Sequence, residues 1–446
     1  MTALPPDLAL GVDCSTQSTK VLVVEVPSGR AVAEASARHP ATTPPVSEQH
    51  PDAWWGALCR ALADVPVDVR RRVVALSVAG QQHGLVVRGA DRQPLRPAVL
   101  WNDTTAAPTI AELVQELGAE TWARATGSVP LAAFTIAKLA HLARHEPDVV
   151  GATRWIGLPH DDLTWRLTGH HVTDRGDASG TGWFDPVANE VRVDLLEAAT
   201  GDGARLAACL PLVLAHTEPA GSLTAEAAEA TGLPEGVRVA AGTGDNMAAA
   251  LGLGLIDGDV VISLGTSGTA YARSSTPTHD ASGAVAGFAS ADGAYLPLVC
   301  TLNATKVTDT VATWLATDAT GLSEMALAAR DDPGSVSLTP YFDGERTPNL
   351  PDAMGEFHGL TNETTREQIA LAAHDGVLRG LLAGVDALAA AGANTAGRRY
   401  LVGGGARSHA YQQRAVDLGG QPIIVPEIDE AVAFGAARQA VQLVAD

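Results

Sequence analysis

The sequence predicts an α/β protein built from two similar lobes. Its 446 residues are too many for one ordinary hydrophobic core and suit two or three domains. An apolar strand, a turn rich in small hydroxyl residues and a second apolar strand occur together twice, first from residue 8 and again from residue 259. Beyond residue 365 helical and extended patterns alternate, which is typical of α/β layers.

The first lobe opens with a predicted β-meander. Its signal is a series of extended segments separated by turn residues, at positions 8–12, 21–26 and 31–37. Residues 51–64 are predicted to form a helix, because Pro51 and Asp52 suit a first helical turn. A short apolar strand at residues 73–78 then leads into polar residues.

The second lobe is predicted to start near residue 245. Its first strand covers residues 259–264 and runs into the turn at residues 265–269. Later segments alternate in type: a long helix at 365–391, a strand at 400–402, a glycine turn at 403–408 before a helix, a strand at 422–425 and a closing helix at 429–443.

Charge and composition exclude several classes of protein. The net charge is −21, without the basic patch of a nucleic-acid-binding protein, and an acidic surface repels anionic membranes. No apolar stretch approaches the ~20 residues of a membrane span, and the first residues lack the features of a signal peptide. The four cysteines are scattered, as expected in a reducing compartment. We therefore expect a cytoplasmic protein without nucleic-acid or membrane partners.

The two hydroxyl-rich turns are candidate phosphate sites. Backbone N–H groups in such turns can bind phosphate oxygens without a formal positive charge. Ser15, Thr16 and Ser18 form the first turn, and residues 265–268 form the second. Either turn alone suits an ordinary hairpin; one in each lobe favours a phosphate clamp.

Two aspartates are candidate catalytic residues. Asp13 ends the first strand beside the first turn, where a carboxylate near a phosphate requires a cation such as Mg²⁺. The alternative for Asp13 is a cap on its own turn. Asp245 follows an apolar strand and could accept the proton of a substrate hydroxyl during phosphoryl transfer, or cap the next helix.

Further polar groups lie at strand ends. His83 and the Trp-Asn-Asp triplet at 101–103 each follow a strand and suit contacts to sugar hydroxyls, although a structural role fits His83 equally. The glycines at 403–405 allow a ligand to approach the backbone, or simply form a tight turn. P-loop and protein-kinase motifs are lacking.

Taken together, these segments resemble the FGGY carbohydrate kinases. The matching stretches occur in the order found in the family and cover nearly the whole chain: GVD at 11–13, STQSTK at 15–20, SEQ at 47–49, WW at 54–55, AGQQHG at 79–84, LWND at 100–103, AGTGDN at 241–246, SLGTSG at 263–268, GERTP at 344–348 and GGGARS at 403–408.

The resemblance implies a fold and an activity. It implies two ribonuclease-H-like lobes of the actin, hexokinase and Hsp70 type with a central cleft: residues 1–243 for the sugar and 244–446 for ATP. The implied reaction is ATP- and Mg²⁺-dependent phosphorylation of D-xylulose to D-xylulose 5-phosphate. Ribulose, another ketopentose or a polyol is the alternative substrate, a non-catalytic sugar sensor is the alternative class, and a homodimer is the assembly considered.

The resemblance also implies roles for individual residues. Asp245 would be the general base, and Asp13 with Asp245 would hold Mg²⁺. The sugar would be bound by Gln82, His83, Asn102, Asp103, Asp245 and Asn246. ATP would be bound by Ser15, Thr16, Lys20, Gly265, Thr266, Gly404, Gly405 and Ala406. One departure concerns Ser15, where many relatives have glycine and where a side chain is expected to crowd the phosphate.

Overall fold

The computed structural model describes residues 7–428 and 430–444, and it confirms the predicted two-lobed α/β class. The chain forms two compact units: the first comprises Met1–Gly254, Phe288–Tyr295 and Glu430–Asp446, and the second Leu255–Gly287 and Leu296–Asp429. The prediction that a signal peptide is absent rests partly on residues 1–6, which lie outside the described residues.

The strands are short and spread over both units. In chain order they are β1 (Leu8–Cys14), β2 (Ser18–Glu25), β3 (Ala31–Arg38), β4 (Glu48–Gln49), β5 (Val73–Gly80), β6 (Val86–Arg88), β7 (Ala98–Val99), β8 (Trp155–Gly157), β9 (Val172–Asp174), β10 (Phe184–Asp185), β11 (Glu190–Val191), β12 (Leu212–Leu214), β13 (Pro219–Ser222), β14 (Arg238–Ala240), β15 (Thr243–Gly244), β16 (Val260–Leu264), β17 (Gly268–Ala272), β18 (Ala286–Ala289), β19 (Tyr295–Thr301), β20 (Ser337–Thr339), β21 (Glu356–His358), β22 (Arg399–Val402) and β23 (Ile423–Ile424).

The helices cover the sheets and fill the connections. They are α1 (Pro51–Asp64), α2 (Val67–Arg70), α3 (Ala107–Leu117), α4 (Ala119–Thr126), α5 (Thr135–His145), α6 (Pro147–Ala152), α7 (Pro159–Thr168), α8 (Arg175–Ala178), α9 (Val193–Thr200), α10 (Gly203–Ala207), α11 (Ala225–Thr231), α12 (Asp245–Leu253), α13 (Thr305–Trp314), α14 (Ala319–Ala328), α15 (Arg366–Ala390), α16 (His409–Gly419) and α17 (Ala431–Gln442), with a 3₁₀ turn at Gly404–Arg407.

The first unit is built on a mixed sheet in the order β13-β14-β5-β1-β2-β3, with β15 also paired to β5. β1, β2 and β3 form the predicted antiparallel meander, whereas β5 runs parallel to β1. Alternate residues of β1 and β2 enter a core of aliphatic side chains with the buried Trp54 of α1. The carboxyl ends of β1, β5 and β15 therefore lie side by side at one edge of this sheet.

The second unit repeats part of this plan. The central strands of its sheet follow the order β19-β17-β16-β22-β23; β17 is antiparallel to β16, and β22 is parallel to it. The long predicted helix is present as α15, which begins with a capping box between Thr365 and Gln368 and contributes many core side chains. The pattern of strand, turn and strand that occurs twice in the sequence thus corresponds to a strand topology that occurs in both units.

The compact units divide the chain elsewhere than at the predicted boundary between residues 243 and 244. Both α12 and the closing helix α17 belong to the first unit. The reason is close packing of small residues: a Cβ atom at Gly435 would overlap the Ala248 carbonyl, and one at Gly11 would overlap the Ala433 carbonyl. The carboxyl-terminal helix thus returns to β1 and α12, which the order of segments along the chain did not reveal.

Within the described residues, no helix has both the length and the apolar composition that a membrane span requires.

Candidate active site

The first unit gathers most of the predicted sugar and metal residues at one sheet edge. β1 and β15 both run parallel to β5, and Cys14 and Gly244 both align with Gly80. Asp13 at the end of β1, the polar residues after Gly80 and Asp245 just after β15 are consequently neighbours. Ligand sites in α/β sheets are commonly found beyond such carboxyl strand ends.

Asp13 is buried, with 6% of its surface exposed. Its Oδ1 atom has no hydrogen-bond partner among the described residues. Burial raises its pKa to about 7, while the nearby Lys20 lowers this pKa and Glu430 raises it. An acceptor oxygen left without a donor in a buried position is costly, and a cation or a donor from a ligand would relieve that cost.

Asp245 occupies the first turn of α12 and is half-buried. Its Oδ1 atom accepts hydrogen bonds from the Asn246 backbone N–H at 2.8 Å and from Asn246 Nδ2 at 3.1 Å. Burial, and then the charge of Asp13, raise the pKa of Asp245 to about 7. A carboxylate with this pKa can accept a proton near neutral pH.

Gln82 and Asn246 lie beside Asp245. Asn246 Nδ2 also donates to Gln82 Oε1 at 2.8 Å, so that one amide group links Gln82 to Asp245. Gln82 is 4% exposed, and its Nε2 donor has no partner among the described residues. This side chain therefore offers a donor beside the carboxylate.

His83 takes a left-handed backbone conformation with φ of 66°. Its Nδ1 atom lies 2.7 Å from the Gly180 carbonyl oxygen and so carries the proton that it donates. The imidazole ring stacks on Phe134, with centroids 5.0 Å apart, and contacts Phe288 at 5.5 Å. The ring is thus fixed in both tautomer and orientation.

Asn102 and Asp103 differ from each other in what they can bind. The Asp103 carboxylate accepts from the Ser47 backbone N–H at 2.8 Å and from the Thr105 backbone N–H at 2.9 Å, and it is 2% exposed. The structure therefore gives Asp103 a role in the turn after β7, and its contact with the sugar stays a prediction. Asn102 is half-buried, and its Oδ1 atom has no partner among the described residues.

The first hydroxyl-rich turn is tied internally. Both the N–H and the hydroxyl of Ser15 donate to the Ser18 carbonyl at 3.0 Å. The Ser15 N–H that was expected to face a phosphate is thus used within the hairpin. Thr16 Oγ1 donates to Gln81 Oε1 at 2.9 Å and accepts from Trp101 Nε1 at 2.9 Å, which joins the turn to the segment after β5.

Lys20, predicted to contact ATP, forms an ion pair inside the first unit. It lies opposite Asp13 across the β1–β2 ladder, and its Nζ atom is 2.7 Å from Glu430 Oε2. The two side chains are about one-third exposed, at 37% and 31%. Glu430 takes two of the three N–H donors of the Lys20 ammonium group.

The second unit brings its two predicted nucleotide segments together. β16 and β22 are parallel, so the turn after Leu264 and the glycines after Val402 follow neighbouring strand ends. A Cβ atom at Gly403 would lie 2.7 Å from the Leu264 carbonyl oxygen, and the φ of Gly403 is +88°. Only glycine fits there, since both space and backbone conformation exclude a side chain. Gly265 accepts from the Thr305 N–H at 3.0 Å, and Thr266 is exposed at the tip of the turn.

A cavity of about 420 Å³ opens beside these glycines. It is lined by Gly404 and Gly405 together with hydroxyl and apolar side chains: Thr308, Leu322, Ser323, Leu327 and Tyr411. The buried His374 also lines it, and burial lowers the pKa of that histidine to about 4, which keeps the ring neutral. Charged residues line the cavity as well (Asp309, Glu324 and Arg407), so it offers both apolar and polar contacts to a nucleoside.

Ala406 was predicted to bind ATP together with Gly404 and Gly405, but its surroundings differ from those of the two glycines. It is 3% exposed, and its carbonyl accepts from Gln412 Nε2 at 2.8 Å. Its side chain packs in the core of the second unit, and the glycines before it form the wall of the cavity.

The carboxylates suit a magnesium ion that is shared with phosphate oxygens. Hard oxygen donors are the ligands that Mg²⁺ prefers, and it usually takes only one or two of them from the protein. No group of three or more His, Cys, Asp or Glu side chains in the described parts of the chain could hold a metal alone. Asp13, with its unpartnered Oδ1 atom, would be the first protein ligand of such an ion, and Asp245 stays the predicted second ligand.

The groups that support His83 and Asp245 were not predicted from the sequence. Phe134 and Phe288 contact His83, and Thr243 binds Asp174 through a 2.8 Å hydrogen bond. The signal that could have drawn attention to this region is the run of small and acidic residues at 174–182, DRGDASGTG. Such a composition is typical of a tight, closely packed segment.

Comparison with known families agrees with this geometry. Residues 8–252 match the FGGY family of carbohydrate kinases, N-terminal domain, and residues 260–443 match the C-terminal domain of that family. The gap between the two matches, 253–259, contains the boundary after Gly254 that separates the compact units.

Individual relatives cover nearly the full chain. A xylulose kinase of Streptomyces coelicolor is 47% identical over 99% of this chain and 89% of its own length, and a xylulose kinase of Escherichia coli is 34% identical over 97% and 89%. The crystal structure of xylulose kinase from Bifidobacterium adolescentis is similar with a TM-score of 0.89 and 39% identity, over 99% of this chain and 93% of that one.

Proposed function

The chain belongs to the FGGY family of carbohydrate kinases, and from this we propose that it transfers the γ-phosphoryl group of ATP to D-xylulose, giving D-xylulose 5-phosphate and ADP. The observation that carries the catalytic part is the position of Asp245, whose carboxylate is held by Asn246 at the sheet edge that also bears Asp13. The substrate is supported by the relatives, which are named xylulose kinases.

In this mechanism Asp245 is the general base. As the bond between the sugar oxygen and the γ-phosphorus forms, the bond from that phosphorus to the bridging oxygen of ADP breaks, and the hydroxyl proton passes to the Asp245 carboxylate. The pKa of about 7 suits this role, because the group is partly ionised near neutral pH and can hold the proton once transferred.

The sugar is oriented by groups beside the base. Gln82 offers its Nε2 donor to a sugar hydroxyl, and Asn246 fixes the Gln82 carbonyl at 2.8 Å. His83, held on Gly180 and stacked on Phe134, supplies a rigid ring against which the sugar can rest. Such positioning contributes much of the rate in phosphoryl transfer, which needs little covalent chemistry.

Asp13 and Asp245 would hold the Mg²⁺ ion of the nucleotide complex. When bound, this ion neutralises the charge of the phosphate oxygens. The nucleotide itself belongs in the second unit, where Gly265 and Thr266 lie at the exposed turn and the 420 Å³ cavity takes the nucleoside.

Replacement of Gly404 tests the nucleotide site. A Cβ atom at this residue meets nothing within 4 Å, so Gly404→Leu preserves folding but fills the cavity. We expect the KM for ATP to rise at least about tenfold while the KM for the sugar stays within about twofold, because one misplaced group commonly costs a factor of ten or more. Gly380→Leu on α15, also with nothing within 4 Å, is the matched control. An unchanged KM for ATP in Gly404→Leu would remove the nucleoside from this cavity.

A coupled ADP-release assay with a panel of acceptors tests the proposed function itself. The panel contains D-xylulose, D-ribulose, L-ribulose, L-xylulose, D-arabitol, xylitol, glycerol and gluconate. We expect kcat/KM for D-xylulose to exceed the others by about tenfold or more, since sites built on hydroxyl hydrogen bonds discriminate strongly. Preference for another acceptor would contradict the proposal that D-xylulose is the substrate. The protein would still be a carbohydrate kinase. ATP binding without turnover of any acceptor would favour a sugar sensor.

A further inference from the structure

A fully buried cluster of one histidine and three aspartates lies next to the base. His160, Asp161 and Asp177 are 0% exposed, and Asp174 is 2% exposed. His160 Nδ1 lies 2.9 Å from Asp177 Oδ2, and His160 Nε2 lies 3.0 Å from Asp161 Oδ1. Burial of several ionisable groups is costly even when they are paired, so such a cluster is poor evidence of stabilisation alone.

The short helix α8 is the element that this cluster holds. Asp174 caps its amino end, where Oδ2 accepts from the Gly176 N–H at 2.8 Å and Oδ1 from the Asp177 N–H at 2.9 Å. Asp177, within the helix, is held by His160. The segment after the helix is tied by Ser179, whose hydroxyl accepts from the Ala289 N–H at 2.8 Å.

The two ends of this helix are linked to the segments that carry Asp245 and His83. At the amino end, Asp174 Oδ2 accepts from Thr243 Oγ1 at 2.8 Å, and Thr243 lies two residues before Asp245. Beyond the carboxyl end, the Gly180 carbonyl accepts from His83 Nδ1 at 2.7 Å. One rigid turn thus carries the hydrogen bonds that position both the base segment and the sugar-facing histidine.

His160 also touches the strand ends that carry these groups. A Cβ atom at Gly80, the last residue of β5, would lie 2.9 Å from the His160 backbone nitrogen. One at Gly242, just before β15, would lie 2.8 Å from His160 Cδ2. The histidine therefore packs directly against the segments that lead to Gln82 and to Asp245.

We propose that His160 is a positioning residue, which fixes α8 through Asp177 and thereby sets Asp245, through Asp174 and Thr243, and His83, through Gly180. The roles of Asp245 and His83 rest on the proposed function. The neighbouring carboxylates raise the pKa of His160 to about 9, against the effect of burial, so that the ring stays protonated and compensates their charge at neutral pH.

Thr243→Val tests this link with little change in volume. It removes only the hydroxyl that joins the base segment to Asp174, and we expect kcat to fall about tenfold with the KM for D-xylulose nearly unchanged, because small displacements of a base are costly. His160→Gln loosens both ends and is expected to lower kcat and to raise the KM for D-xylulose. Thr231→Val is the matched control, at a buried threonine whose hydroxyl donates within α11 and accepts from the Leu233 N–H just after it.

A purely structural role gives a different pattern. In that case Thr243→Val and Thr231→Val would both lower Tm and leave kcat at the wild-type value, which would overturn the inference. If His160→Gln fails to fold, Thr243→Val still tests the link from α8 to the segment of Asp245, which the inference requires.

Amide hydrogen exchange gives a readout that needs no turnover. We expect faster exchange at residues 243–247 in Thr243→Val than in the wild type and in Thr231→Val. Unchanged exchange there overturns the inference, even if the wild type proves inactive on every sugar, so that failure of the proposed function and failure of this link are distinguishable.

Discussion

Asp245→Asn is expected to lower kcat by about 10²–10⁴-fold, because the amide cannot accept the hydroxyl proton. The amide has the shape of the carboxylate and can still accept from the Asn246 N–H that now holds Asp245 at 2.8 Å. The coupled ADP-release assay measures the loss at saturating ATP and sugar. Asp148→Asn, at an exposed aspartate in the first turn of α6, is the control and should keep the wild-type rate. A rate near that of the wild type in Asp245→Asn would remove Asp245 from the role of base.

The same variant is expected to be more stable than the wild type at pH 8. The pKa of Asp245 is about 7 in the folded protein and has an ordinary value of 3.8. The folded state therefore binds the proton more tightly, and the wild type loses stability as pH rises from about 4 to about 7. Asparagine has no such dependence, so its advantage in Tm grows over that range and is constant above it. Thermal unfolding at pH 5 and pH 8 measures this difference, and a lower Tm for Asp245→Asn at pH 8 would contradict it.

Asp13→Asn is expected to lower kcat by about tenfold or more and to raise the Mg²⁺ concentration that gives half-maximal rate. The neutral amide is a weaker ligand than a carboxylate for a hard cation. The measurement is a titration of Mg²⁺ at fixed ATP, with Asp148→Asn again as the control.

The shape of that titration separates two causes of a lower rate. A shifted midpoint indicates that Asp13 contributes to binding of the ion. An unchanged midpoint would exclude Asp13 from the metal site, whatever the effect on kcat.

Much of the candidate site was predictable, because its residues follow strands. Parallel strands end at the same edge of a sheet, so Asp13, Gln82 and Asp245 could be expected to meet once their strands were identified. The turn after Leu264 and the glycines after Val402 likewise follow neighbouring parallel strands. Local patterns of small residues and apolar runs were sufficient to single out these segments.

Other features depend on contacts between distant segments and were not accessible. Asp103 has the appearance of a sugar ligand, yet its oxygens bind Ser47 and Thr105. Lys20 meets Glu430, some 410 positions away in sequence. The pairing of Thr243 with Asp174 likewise requires the folded chain. Hydrogen-bond partners of buried polar groups are set by tertiary packing, which the order of segments does not encode.

Ser15, which stands where many relatives have glycine, forms its hydrogen bonds within its own turn. Its N–H and hydroxyl both donate to the Ser18 carbonyl. The backbone donor expected for a phosphate is therefore occupied within the turn, and the hydroxyl proton of Thr16 is likewise donated to Gln81.

Phosphorus NMR of the product tests the central claim most directly. The wild-type protein is incubated with Mg-ATP and D-xylulose, and the spectrum is compared with that of the same mixture containing Asp245→Asn. We predict a phosphomonoester on the terminal sugar oxygen, formed in equal amount with ADP by the wild type and formed at least about a hundredfold more slowly by the variant. ADP and inorganic phosphate with unmodified sugar, or the same sugar phosphate at the same rate with Asp245→Asn, would contradict it.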